Sequence, residues 1–279
     1  MSIKLKLTGG LGNQMFQFAA GFSIAKRKNV DLNLDLSWYN RRNIHNGFEL
    51  EHVFNIFKRV NFINNPFSLK QFLSKIDFTY KVYDEPHFHY TSEITSIPNH
   101  CFLRGYWQSE NYFNEYTEEI KKIFRFDKIL DEENTIIAND ILENKSVSLH
   151  IRRGDFLLKK NHNHCVDLTK YYSEAIDQIS KNFNKPKFFI FTDDPEWVTQ
   201  NFSIISNFKV VNANKNINSF IDMYLMSLCK GNIIANSSFS WWGAWLNNNK
   251  DKIIFAPKKW FNDKSIKTNS LFLKTWNVI

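Results

Sequence analysis

Residues 3–28, IKLKLTGGLGNQMFQFAAGFSIAKRK, decide the class of fold. Ile3 to Thr8 alternate apolar and polar side chains, the period of a half-buried strand. Three glycines then fall within four positions (Gly9, Gly10 and Gly12), and the run from about Met15 to Lys28 suits a helix. The unit is a strand, a glycine turn and a helix, and DLNLDL (31–36) reads as the next strand. Four of the chain's nine glycines lie in its first 21 residues, so the turn needs positive φ or close approach of a ligand to backbone. It is not a Walker A loop, because no GK[ST] follows. Nor does it complete the dinucleotide fingerprint, since Met15 stands where the third glycine belongs. Asn13 and Gln14 add amide donors and acceptors at the mouth of the helix, which favours an anion or sugar site over a bare turn.

The second half is more regular. SVSLHI (146–151), KFFIFT (187–192), NFKVV (207–211), NIIAN (232–236) and KIIFA (252–256) are short apolar strands. Between most of them lie helical patterns, among them TKYYSEAIDQISKNF (169–183) and SFIDMYLMSLCK (219–230). Strands alternating with helices predict an α/β fold with a parallel sheet covered on both faces. The charged, helix-favouring stretch DEENTIIANDILENK (131–145) precedes this half and places a domain boundary there, giving domains 1–143 and 144–279. Residues 40–100 carry weak periodicity and read as short helices and loops.

The composition sets outer bounds. At 279 residues, 43% hydrophobic and 23% charged, the chain holds one large globular domain or two of ordinary size. No run of 18 apolar residues predicts a membrane span, and MSIKLKLTGG lacks the apolar core of a signal peptide. Cys101, Cys165 and Cys229 lie far apart, in no metal-type spacing, and fit reduced thiols in a cytoplasm. The net charge of +8 is scattered lysine with only eight arginines, unlike the concentrated stripe of a nucleic-acid binder, so no nucleic-acid partner is expected.

Three stretches bear on chemistry. In LHIRRGDF (149–156), His150, Arg152, Arg153 and Asp155 cluster around Gly154 at a strand end, where open α/β sheets place their ligand crevice. Two adjacent guanidinium groups suit a diphosphate; the plain alternative is a solvated Arg–Asp turn. In FFIFTDDPEW (188–197), Thr192 and Asp193 either meet a base or ribose or simply open a helix before Pro195. In CKGNIIANSSFSWWGAWL (229–246), Asn236, Ser237, Ser238, Phe239 and Ser240 read as a ligand-facing loop at a helix N-terminus, and Trp242 and Trp245 as core. No D-x-D occurs, and His87-x-His89 and His162-x-His164-Cys165 lack partners at recognised spacing, so no metal site is expected.

GGLGNQMFQFA, LRGYWQSENYF (103–113), HIRRGD and CKGNIIANSSFSWWGAWL together resemble the bacterial α-1,2-fucosyltransferases, glycosyltransferase family 11. The resemblance implies a GT-B-type α/β architecture, two Rossmann-like domains facing a central cleft, with GDP-fucose in the C-terminal half and the acceptor in the N-terminal half. It implies metal-independent, inverting transfer of L-fucose from GDP-β-L-fucose, with no cofactor, to the 2-hydroxyl of an acceptor such as a galactoside. Arg152 and Arg153 match the pair that neutralises the diphosphate, and His150 and Asp155 share their loop. Asn236 to Ser240 match the nucleotide-side loop; Gly9, Gly10, Gly12, Asn13 and Gln14 match the loop facing the donor, with Asn13 placed among the catalytic groups. A general base stays unassigned among Asp155, Glu49 and Asp35. The expected partners are GDP-fucose and an oligosaccharide or lipid-linked glycan acceptor. The expected location is the cytoplasm, with the lysine excess fitting peripheral contact with the inner membrane. The alternatives are a same-fold transferase of another GDP-sugar or acceptor position, and a non-catalytic glycan-binding module.

Overall fold

A computed structural model describes residues 1–41, 46–59, 80–127, 130–154, 163–202 and 205–279. The chain divides into two units: 1–127 with 266–271, and 128–265 with 272–279. The division falls earlier than the 143/144 boundary expected from charge. The helix α5 (Glu132–Glu143) turns its apolar side (Ile137, Ala138, Ile141) inward and packs within the second unit, so its surface charge marked an exposed face, not a linker.

The first unit is built on the parallel sheet β2-β1-β4-β3, from β1 (Ser2–Lys6), β2 (Asp31–Asp35), β3 (Lys81–Asp84) and β4 (Cys101–Arg104). Helix α1 (Leu11–Lys28) crosses from β1 to β2 and starts earlier than the apolar run suggested, with Gly10 as its N-cap. Gly21 lets the helix lie close on the sheet: a Cβ there would stand 2.7 Å from Leu5 Cδ2 and 3.3 Å from Leu32 Cδ1. Asn29 ends the helix at φ 53°, its amide returning to Ala25 and Lys26. Among the described residues of the stretch 40–100, read as helices and loops, lie the short helices α2 (Leu50–Phe54) and α3 (Ile56–Arg59) and the strand β3; β4 and the helix α4 (Thr117–Ile123) follow it. β3 escaped the pattern because it is an exposed edge with little apolar alternation.

The second unit carries the parallel sheet β10-β9-β8-β5-β6-β7. β5 (Ser146–Ile151) and β6 (Lys187–Thr192) have the predicted bounds; β7 (Phe208–Val211), β8 (Gly231–Ile233) and β9 (Ile253–Ala256) are shorter by a residue or two, and β10 (Asn277–Val278) adds an edge. β5 is buried along its whole length, and its alternation sorts two faces. Val147, Leu149 and Ile151 enter a core with Tyr171, Ala175 and Ile179 of α6 (Thr169–Asn182). Ser148 faces the other way and accepts a 2.8 Å hydrogen bond from buried Asn232. The pairs α5–α8 and α8–α9 pack together, with α8 at Phe220–Leu228 and α9 at Ser238–Trp245. Trp242 and Trp245 are core, as their spacing predicted, and Trp241 joins them. The helix α7 (Pro195–Asn201) follows β6. The chain is thus α/β, as expected, with a Rossmann-like parallel sheet in each of its two units. Among the described residues no helix is long and apolar enough to cross a membrane.

Candidate active site

The second sheet reverses its order between β5 and β8. β5 leads to β6 and β7 on one side, and β8 to β9 and β10 on the other. Ligand crevices in open parallel sheets form outside the carboxyl ends of the strands at such a reversal. The two stretches singled out in the sequence follow those very strands: Arg152–Gly154 after β5 and Asn236–Ser240 after β8, whose strands pair Leu149 with Ile233. Helix α6 pins both strand ends. The Tyr172 hydroxyl donates to the His150 carbonyl at 3.0 Å, and the Tyr171 hydroxyl lies 2.8 Å from the Ile234 carbonyl and 2.9 Å from that of Phe255. Burial pushes the pKa of both phenols well above the ordinary tyrosine value, so they remain protonated donors.

The arginine turn is organised from the end of β6; Asp155 lies outside the described residues. Asp193 Oδ1 accepts the amides of Arg153 (2.9 Å) and Gly154 (3.1 Å), while its Oδ2 lies 3.0 Å from Arg152 Nη1. Asp194 Oδ2 lies 3.1 Å from Arg153 Nε, and the Arg153 guanidinium stacks 4.0 Å from the ring of Trp197. Each guanidinium has five N–H donors, so an aspartate on one N–H sets the direction of the fork without exhausting it. The structure therefore revises the role of Asp193: it holds the arginine turn. Thr192 takes the helix-opening role left open for it, together with Asp194. Asp194 caps α7 by accepting Trp197 N at 3.1 Å, and Thr192 Oγ1 accepts Asp194 N. A signal was present in the sequence: two acids at one strand end match two arginines at another.

His150, one residue before the end of β5, has 7% of its surface exposed, and its ring lies 6.0 Å from that of Phe239. Burial, then the Arg152 charge, hold its pKa well below the ordinary histidine value, so the imidazole is neutral; its buried Nδ1 has no partner among the described residues. Asn236 and Ser240 are more structural than the ligand-facing reading allowed. Asn236 donates to the carbonyls of His164 (2.9 Å) and Trp260 (3.0 Å), and Ser240 Oγ accepts Ala235 N. Ser237 caps α9 by accepting Phe239 N at 3.3 Å; Ser238 and Phe239 are half-buried.

In the first unit the glycine loop follows β1, and the order again reverses there, between β1 and β4. Gly9 sits at φ +78°, where a Cβ would stand 2.7 Å from Asn13 Nδ2. Gly10 gives its carbonyl to Asn13 N and Gln14 N, and Gly12 is buried within the first turn. Gln14 is fully buried and spent internally: it donates to the carbonyls of Gly9 (3.1 Å) and Gly47 (2.8 Å) and accepts Glu49 N (2.9 Å). The expectation that it contacts a ligand is corrected, since its amide is the brace of the loop. Asn13 stays half-buried, with Oδ1 accepting Gln108 Nε2 at 2.8 Å. Tyr39, not singled out in the sequence, donates its hydroxyl to the Gly9 carbonyl at 3.0 Å.

Two base candidates are committed elsewhere. Glu49 is buried, accepting Leu11 N (3.1 Å) at the mouth of α1 and Asn46 Nδ2 (3.0 Å); burial raises its pKa. Asp35 accepts the Ser37 amide at 3.0 Å, the closure of a tight turn.

Two parallel-sheet α/β units, one carrying an arginine pair at its order reversal, define the class. The chain belongs to glycosyl transferase family 11, whose family model matches residues 2–279, and it is a glycosyltransferase. It is 36% identical over 278 residues to the α-1,2-colitosyltransferase of Escherichia coli, covering 94% of this chain and 93% of that one. It is 34% identical over 295 residues to the O-antigen biosynthesis glycosyltransferase WbnK of E. coli, covering 93% and 95%. Among solved structures, NodZ α-1,6-fucosyltransferase soaked with GDP-fucose is similar with 17% identity over 88% of this chain and 92% of that one, at a TM-score of 0.49.

Proposed function

We propose that the protein transfers L-fucose from GDP-β-L-fucose to the 2-hydroxyl of an acceptor sugar, a galactoside foremost, with inversion and without a metal, in assembly of a surface polysaccharide such as an O-antigen. The observation that carries this reading is Arg152 and Arg153, held side by side at the carboxyl end of β5 by Asp193 and Asp194. As the bond from sugar to β-phosphate lengthens, negative charge gathers on the departing GDP. Cations already fixed in place stabilise that charge without reorganising. They supply the neutralisation that a divalent ion supplies in other transferases, which is the reason for the metal-free proposal. Neutral His150 and the 236–240 loop contribute an uncharged wall for the nucleotide, and the first unit takes the acceptor. With Glu49 and Asp35 committed to helix and turn, phosphate-assisted removal of the acceptor proton fits better than either carboxylate.

Two relatives support the biological setting: one is named for an α-1,2 linkage and the other for O-antigen biosynthesis. The acceptor is then an oligosaccharide or its lipid-linked form, met by peripheral contact at the cytoplasmic face of the membrane. A second donor is favoured by one observation, the 36% identity to a colitosyltransferase: GDP-linked colitose in place of GDP-fucose. GDP release with each donor over a panel of acceptors, and NMR of the product linkage, test the reading. An α-1,2-fucoside formed equally well in EDTA is expected. Transfer only from the colitose donor, another linkage, or a strict requirement for Mn²⁺ would overturn the corresponding part.

A further inference from the structure

The turn after β4 holds features that the function above does not use. Trp107, a large non-glycine residue, sits at φ +55°, a conformation that persists only where surrounding contacts enforce it and that gathers at ligand sites. The enforcing group is Glu85, just past the end of β3. Its two carboxylate oxygens accept the amides of Tyr106 (2.7 Å) and Trp107 (3.1 Å). The close approach needs Gly105, where a Cβ would fall 2.4 Å from Glu85 Cβ and 2.8 Å from Oε2. Gln17 donates to the Gly105 carbonyl at 3.0 Å, and Gln108 donates to Asn13, so the turn is tied to the glycine loop at the β1/β4 reversal.

The left-handed residue sends neighbouring rings in opposite directions. Trp107 goes inward against Tyr112 (5.4 Å, edge to face), with its buried indole N–H lacking a partner among the described residues. Tyr106 goes outward and is 46% exposed. A chain that strains one aromatic residue to present another, beside two amides at the end of a parallel sheet, has built a surface and not a mere connection.

We propose that Tyr106 is the platform on which the acceptor sugar stacks, with the half-buried Asn13 amide, braced by Gln108, reading its hydroxyls and Glu85 acting as the positioning residue of the turn. The ligand class is a neutral pyranoside with an apolar C–H face. Galactose fits, because its axial 4-hydroxyl leaves the hydrogens on C3, C4 and C5 together on the opposite face. Calling this sugar the acceptor rests on the transferase reading above; the binding site itself does not.

Saturation-transfer NMR with a panel of methyl pyranosides tests the site directly. The wild type should show transfer to the C–H face of methyl β-galactoside. Tyr106→Phe should retain it, and Tyr106→Ala should lose it while binding GDP with wild-type affinity by calorimetry. In transfer assays Tyr106→Ala and Glu85→Gln should raise the acceptor KM by about tenfold, with a smaller change in kcat. Absence of binding by any panel sugar to the wild type, or undiminished binding to Tyr106→Ala, would overturn the proposal. Failure of the transferase reading is seen separately, as sugar binding without GDP release from either donor.

Discussion

Asp193 and Arg152 meet at 3.0 Å, and the same carboxylate holds the amides of Arg153 and Gly154, so a side chain just past β6 shapes the chain at Arg152–Gly154 after β5. Asp193→Asn keeps the shape but removes the charge. A hydrogen bond to a charged group is worth about 1.5–3 kcal/mol, so KM for the GDP-sugar should rise by about tenfold or more with secondary structure unchanged. Steady-state kinetics with circular dichroism checks both halves of this expectation.

Gly154→Ala tests the same contact from the backbone side. The added Cβ would lie 2.8 Å from Asp193 Oδ2 and 3.1 Å from Cγ, so the carboxylate must give way and lose its hold on Arg152. kcat/KM should fall as in Asp193→Asn, while the melting temperature barely moves because the turn is exposed.

Gly9→Ala acts differently, through strain. At φ +78° a side chain costs about 1–2 kcal/mol before the clash with Asn13 is counted. The Gly9 carbonyl also receives Tyr39 and Gln14. Urea unfolding should show at least that loss, together with weakened transfer.

Trp242 lies within 5.1 Å of the Trp241 ring and 5.0 Å of the Trp245 ring, centroid to centroid, fully buried. Trp242→Ala should cost about 3–5 kcal/mol, read by calorimetry as a large drop in melting temperature. Retained stability would show that this cluster is not the core of the second unit.

Glu85 gives stability a dependence on pH. Burial pushes its pKa up to about 7, against the opposing pull of the Tyr106 and Trp107 amides and of His87. In the unfolded chain a glutamate ionises near 4.3, roughly. The folded state therefore holds the proton more tightly, and the stability this confers is complete below the unfolded pKa and lost as pH rises through about 7. Wild type should lose stability between about pH 5 and pH 8, and Glu85→Gln should flatten that loss. Equal slopes for the two proteins would exonerate Glu85.

β5 and β6 were legible because both are buried, β6 as a nearly continuous apolar run and β5 through apolar residues at every second position. β3 and β4 were not, being short, with β3 at an exposed edge. The arginine pair and the β8 loop were legible as polar clusters at strand ends, and the structure brings them to the carboxyl ends of the neighbouring strands β5 and β8. What each side chain does with its neighbours was not. Gln14 looked like a ligand donor because sequence cannot show that Gly47 and Glu49 return to meet it. Asp193 looked like a base or ribose contact because its partner lies 40 residues away across the sheet. Trp107 gave no sign at all, as a left-handed tryptophan is a property of the Glu85 clamp and not of its own neighbours in sequence.

The most direct test of the central claim is the Kd for GDP, by calorimetry, of Arg152→Ala and Arg153→Ala. If the pair holds the diphosphate, each variant should stay folded and bind GDP weaker by on the order of a hundredfold, with GMP affinity much less affected. Wild-type affinity for GDP in both variants would contradict the account.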